Sequence, residues 1–112
     1  MERRRGWTFL SNHSHVLVTL AKDPTLTVRE IADRIGITER AVAQILADLE
    51  EAQVLLRWRE GRRNVYQINA DAPLRHDVES HRTVRDLLRL AEPAAVPNPK
   101  AAEIKKPRSG AK

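Results

Sequence analysis

The 112-residue chain has no cysteine, which excludes disulfide frameworks, thiol nucleophiles and cysteine-based zinc sites together. Aromatic residues are almost as scarce: Trp7, Phe9, Trp58 and Tyr66 are the whole set. The core must therefore come from Leu, Ile, Val and Ala, and a modest, mostly helical core is expected. No apolar run approaches the roughly 18 to 20 residues that a membrane span requires. The basic opening Met1-Glu2-Arg3-Arg4-Arg5-Gly6 leads into a stretch broken by Ser11, Asn12, His13, Ser14 and His15, so it does not read as a secretory signal. A soluble, cytoplasmic protein is the expectation. Nucleophile–base pairs, glycine-rich phosphate loops and carboxylate dyads are missing too, so neither an enzyme nor a cofactor is expected. His13 and His15, two apart, fall on different sides of a helix, and His76 and His81 have no ligand-patterned partner, so no metal site is expected.

What is present is positive charge, and its placement says more than its total of +5. Residues 1–11 hold three arginines against Glu2, and residues 93–112 hold Lys100, Lys105, Lys106, Arg108 and Lys112 against Glu103. The body between them is close to neutral. Two basic ends favour solubility and loose attraction to any polyanion, without naming a specific partner. Pro93, Pro97, Pro99 and Pro107 with scattered Ala and Lys give residues 93–112 no apolar period, and they read as a disordered basic tail. Residues 1–11 read as a basic arm.

Three helical patterns come first. Val16, Leu17, Leu20 and Ala21 recur at helical spacing between Asn12 and Lys22, Trp7, Phe9 and Leu10 can pack back on the first turns, and Asp23-Pro24 ends the element. Thr27-Val28-Arg29-Glu30 has capping-box spacing, with Val28, Ile31, Ala32 and Ile35 as the buried stripe and Gly36 as a left-handed stop. Thr38 is the next N-cap, and Ala41, Val42, Ile45, Leu46 and Leu49 line one side of a helix reaching about Ala52. Only Gly36, Ile37 and Thr38 separate the second and third helices, which forces a sharp crossing. After Gln53 the period shortens. Val54 to Arg59 and Asn64 to Ile68 read as strands joined by the turn Glu60-Gly61-Arg62-Arg63, with Trp58 expected to face the core or the first helix. A last amphipathic stretch, from about Leu74 to Ala91, reads as a C-terminal helix over 73–92 that packs on the domain or dimerises.

The order helix, helix, turn, helix, hairpin over residues 7–70 resembles the winged helix-turn-helix family. The motif Ala32-x3-Gly36-x5-Val42-x2-Ile45 has that family's spacing: a small residue where two helices cross, a glycine in the turn, and two apolar residues on the buried side of the third helix. In style it is similar to the small bacterial MarR-like and ArsR-like regulators, although the cysteines usual in ArsR-type metal sensing are absent. The resemblance implies a mainly α domain over 12–72, with a three-helix core, a two-stranded wing at 57–64 and a following helix. It also implies a short third strand near Leu26-Thr27 and binding to double-stranded DNA, with any small-molecule effector left open.

The third helix supports this independently. At about 100° per residue, its inward apolar set leaves Arg40, Gln44 and Ala47 pointing out. Arg can donate two bonds to guanine O6 and N7, Gln can pair with adenine N6 and N7, and Ala permits close approach or a thymine-methyl contact. Thr38, beside the amides of the helix N-terminus, is placed to hold a phosphate. Helix 38–52 is thus the expected recognition element, and Arg59, Arg62 and Arg63 on the hairpin are the expected contacts to backbone or minor groove. The expected function is sequence-specific regulation of transcription. The alternative is a protein-interaction winged helix that docks a partner on its third helix or on Leu87 and Leu90. A homodimer is expected, because two half-sites multiply affinity, with Val78, His81, Leu87 and Leu88 as its interface.

Overall fold

The computed structural model describes residues 6–92. Within them the order is α1 (Asn12–Lys22), α2 (Val28–Ile35), α3 (Glu39–Glu51), β1 (Leu55–Glu60), β2 (Arg63–Ile68) and α4 (Val84–Leu90). This is a winged helix: three helices around one core, an antiparallel hairpin, and a short closing helix.

Local chemistry sets each boundary. Ser11 caps α1 through its hydroxyl, which accepts from the Ser14 amide at 3.3 Å. The Asp23 carboxylate ends the helix by holding the Thr25 amide and hydroxyl. The capping box at α2 is complete, since Thr27 Oγ1 accepts from the Glu30 amide at 3.1 Å and Glu30 Oε1 from the Thr27 amide at 2.8 Å. Gly36 stops α2 at φ 89°, a conformation that costs a residue with a Cβ. Thr38 then caps α3 by accepting from the Ala41 amide at 3.0 Å.

The far end of α3 closes without glycine. The Val54 amide donates to Leu49 O at 2.9 Å and the Gln53 amide to Glu50 O at 3.0 Å, the paired bonds of a Schellman motif. Gln53 occupies the left-handed position of that motif at φ 64°. Gln53→Gly is therefore expected to raise unfolding stability by about 1 kcal/mol. The urea midpoint measures it, and an unchanged or lower midpoint would contradict the strain.

Val16, Leu17 and Leu20 of α1, Ile31 and Ala32 of α2, and Val42, Ile45, Leu46 and Leu49 of α3 form one buried cluster with Leu26, Val54, Leu55, Tyr66, Ala72 and Val84. Ala32 at the helix crossing and Val42 and Ile45 beneath the third helix are all buried, as their spacing predicts. The sheet has two strands among the described residues, with Leu55 opposite Ile68 and Glu60 opposite Arg63. Its two-residue turn places Gly61 first at φ 65° and Arg62 second, on the negative side of φ, the pattern of a type II′ turn. Leu26-Thr27 forms no strand; the hairpin instead docks there through the Tyr66 amide, which donates to Pro24 O at 3.0 Å.

Three expectations need correction. The last helix starts at Val84, a full ten residues after the predicted start. Residues 73–83 make a loop pinched shut by a Pro73–Thr83 bridge and by the Leu74 amide donating to Arg82 O at 2.9 Å. The helix start is fixed by Asp86, whose carboxylate accepts from the Thr83 amide at 3.1 Å, and by the Val84 and Arg85 amides, which donate back to Ala72 O and Ala70 O. Val78 and His81 thus lie in the loop, both exposed, and share no helical face with Leu87 and Leu88, which are half-buried on α4. Trp58 faces outward, 42% exposed beside Leu56 at 59%, because the buried face of the hairpin belongs to Leu55, Tyr66 and Ile68. Trp7 and Phe9 do not pack on α1 either; 73% and 91% exposed, they meet each other edge to face with centroids 4.7 Å apart. The arginines of the arm, Arg3 to Arg5, and the tail 93–112 lie outside the described residues.

Candidate nucleic-acid interface

The exposed side of α3 is a single stripe. Arg40, Ala43, Gln44 and Ala47 are all exposed, while Val42, Ile45, Leu46 and Leu49 are buried opposite them. Their spacing of three and four residues places them one above another on consecutive turns. Ala43 between Arg40 and Gln44, and Ala47 one turn beyond, leave a narrow profile, which lets the helix backbone approach a surface closely. Ala43 went unremarked in the sequence, although its spacing from Arg40 and Ala47 marks it.

Within this stripe the polar groups differ in freedom. Arg40 makes no ion pair or hydrogen bond among the described residues, so its guanidinium keeps all five donors. Gln44 is engaged: its Nε2 donates to Asp48 Oδ1 at 3.0 Å, one turn later on the same helix. Asp48 Oδ2 in turn lies 2.8 Å from Nε2 of His13 on α1. The bond to His13, then that to Gln44, hold the Asp48 carboxyl below its ordinary range, so it is ionised at neutral pH. At the N-terminus of α3 the Thr38 oxygen accepts the cap bond, which leaves the hydroxyl proton free to donate outward.

Each strand of the hairpin is fixed to the helical body by one arginine. Arg57 Nε meets Glu50 Oε2 at 3.0 Å, tying β1 to the end of α3. From β2, Arg63 reaches back and donates to Thr25 O at 2.7 Å. Glu50 thereby anchors the wing. Arg62 and Arg63 are neighbours in sequence with different tasks. Arg62, at the turn, makes no ion pair or hydrogen bond among the described residues, and neither does Arg59 on β1, whereas Arg63 already holds the α1–α2 loop. Trp58 Nε1 donates to Glu60 Oε2 at 3.2 Å on the outer face.

Free cations therefore stand at Arg40 on the helix and at Arg59 and Arg62 on the wing, with a hydroxyl and the α3 amides at Thr38. That set can hold phosphates at two separated places while one polar stripe reads what lies between them.

Residues 11–55, from the cap of α1 to the start of β1, match the winged helix-turn-helix DNA-binding family. No curated protein matches the chain. Among solved structures, the PcaV transcriptional regulator from Streptomyces coelicolor, determined in complex with its natural ligand, is similar at 25% identity and a TM-score of 0.47. The match covers 54% of this chain and 45% of that one, so this chain spans less than half of that regulator.

Proposed function

We propose that the chain, whose residues 11–55 match the winged helix-turn-helix DNA-binding family, is a transcriptional regulator that recognises double-stranded DNA by sequence. The observation that carries this reading is the α3 stripe, with a partner-free Arg40 and a polar Gln44 flanked by alanines. α3 enters the major groove by its N-terminal half, where Arg40 donates to guanine O6 and N7, Gln44 pairs with adenine, and Ala47 allows close approach or meets a thymine methyl. Thr38 and the amides at the start of α3 hold one phosphate. Arg62 at the wing tip, supported by Arg59 and by the donors Arg63 has left, holds the backbone or enters the adjoining minor groove. The site of action is cytoplasmic DNA.

Sequence-independent contacts have a signature of their own. Arg62→Ala is expected to weaken binding to every duplex alike and to lower the slope of log affinity against log salt by about one unit. Fluorescence anisotropy from 50 to about 300 mM salt measures it. An unchanged slope would remove Arg62 from the backbone contacts.

The regulator acts as a homodimer, since one domain of this size makes few base contacts and two half-sites bring them together. Val78, His81 and Leu87 offer the surface, with Leu88 turned partly to the core. Light scattering at micromolar concentration is expected to give twice the chain mass of 12.7 kDa; the single-chain mass would refute the dimer. A second reading has one specific observation in its favour, the exposed Leu56 and Trp58 on the outer face of the wing, which suit a protein partner. Sequence-selective duplex binding by the purified chain alone excludes that reading as the sole function.

A further inference from the structure

Gln44 sits on the stripe that faces DNA in the reading above, yet its amide is not free. A Gln–Asp bond at i,i+4 is by itself an ordinary feature of a helix surface. The third member here is not local: His13 lies 35 residues away in sequence, on another helix, and occupies the second oxygen of the same carboxylate at 2.8 Å. The two oxygens of Asp48 thus serve two elements. One is bonded to α1 and the other to the side chain at the middle of the reading stripe.

The chemistry of the pair decides what Gln44 can present. An ionised carboxylate only accepts, so it forces the glutamine to turn Nε2 toward it. One N–H is spent, and the other N–H and Oε1 remain outward, a donor beside an acceptor. Adenine offers the complementary pair, an N6 donor beside an N7 acceptor. A glutamine without such a partner rotates broadly about its last torsion and presents its oxygen and nitrogen in either order.

We propose that Asp48, braced by His13, is a positioning residue that fixes the Gln44 amide in the one orientation that reads a base. The inference rests on the DNA-reading role of α3, and its test separates the two. The full chain is titrated by anisotropy with the duplex it selects from a random pool and with versions of that duplex changed at each base pair. Gln44→Ala identifies the pair at which preference is lost. Asp48→Asn keeps size and shape but supplies an amide that can itself face either way; it is expected to cut preference at that same pair by about tenfold and to leave the other pairs as they were. His13→Ala is expected to produce a smaller loss at the same pair. Asp48→Glu, which keeps an acceptor-only group, is expected to restore part of the preference. Removing an acid also raises affinity for all DNA, and Glu51→Gln, on the same helix but away from Gln44, measures that charge effect alone. If Asp48→Asn shifts all duplexes equally, as Glu51→Gln does, while Gln44→Ala still loses its pair, the positioning role is overturned and DNA reading stands. If Gln44→Ala loses nothing, or the parent chain has no preference, both are overturned. Thermal melting of each variant above the assay temperature ties the outcome to the side chains; if Asp48→Asn melts below it, His13→Ala takes its place, with its smaller loss expected at the same pair and no loss there overturning the positioning role.

Discussion

Alanine in place of Arg40, or of Gln44, is expected to cost the chain base discrimination while leaving most of its general affinity for DNA. Each side chain stands on the exposed stripe of α3 between small residues, with nothing bulky to fill the groove in its place. Each bidentate contact to a base edge is worth about 1 to 3 kcal/mol of preference, roughly a five- to 150-fold change in the affinity ratio between right and wrong base pairs. The losses should fall at different positions, because the two residues are one turn apart. Competition titrations with single-base-pair variants of a selected duplex provide the readout. Were both variants to keep the parent preference at every pair, α3 would not be the reading element.

The second large effect is on the fold. Leu20→Ala removes a fully buried side chain from the last turn of α1, where it joins the cluster shared with α2 and α3. Large-to-small changes at such sites cost about 2 to 5 kcal/mol. In a domain this small each kcal/mol is worth about 4 to 8 °C, so the melting temperature should fall by about 8 to 40 °C. Leu56→Ala, the same chemical change on the exposed outer face of the wing, should stay within about 0.5 kcal/mol. Equal losses at both positions would mean that the hairpin face is covered and the core is misassigned. DNA binding by Leu20→Ala should survive only below its lowered melting temperature, since α3 keeps its orientation through that core.

The contrast between these two leucines also shows what the chain makes legible. The three helices follow from local rules: a hydroxyl three residues ahead of a carboxylate at Thr27, a glycine at Gly36 where the backbone must turn left-handed, and a stripe repeating every three or four residues. The hairpin follows from its turn, because Gly61 suits a two-residue type II′ connection. Which face of the hairpin is buried does not follow. Leu55, Tyr66 and Ile68 on one face and Leu56, Trp58 and Val65 on the other are nearly matched in apolar character, and only docking against Pro24 and Glu50 decides between them. The segment before α4 misleads for a related reason. Leu74 and Val78 have helical spacing, but the Thr83–Asp86 pair, a capping signal present in the sequence, marks the later start that the structure adopts.

At the candidate interface, Thr38, Arg40, Gln44, Ala47, Arg59 and Arg62 are all placed by local periodicity and turn position, and all are exposed. Arg63 and Asp48 show the limit of such reasoning. Their partners, Thr25 and His13, lie 38 and 35 residues away, and no spacing rule reaches so far. Charge placement behaves in the same way. The basic ends account for the net positive charge of the chain, whereas Arg40, Arg59 and Arg62 stand exposed and without a partner among the described residues, in a near-neutral body.

The most direct test of the account is selection of bound duplexes from a random pool by the purified chain, followed by sequencing. The account predicts enrichment of one motif containing positions that Arg40→Ala and Gln44→Ala each de-enrich. Recovery of a pool with no preferred sequence, from a chain that binds all duplexes with the same salt-dependent affinity, would contradict it.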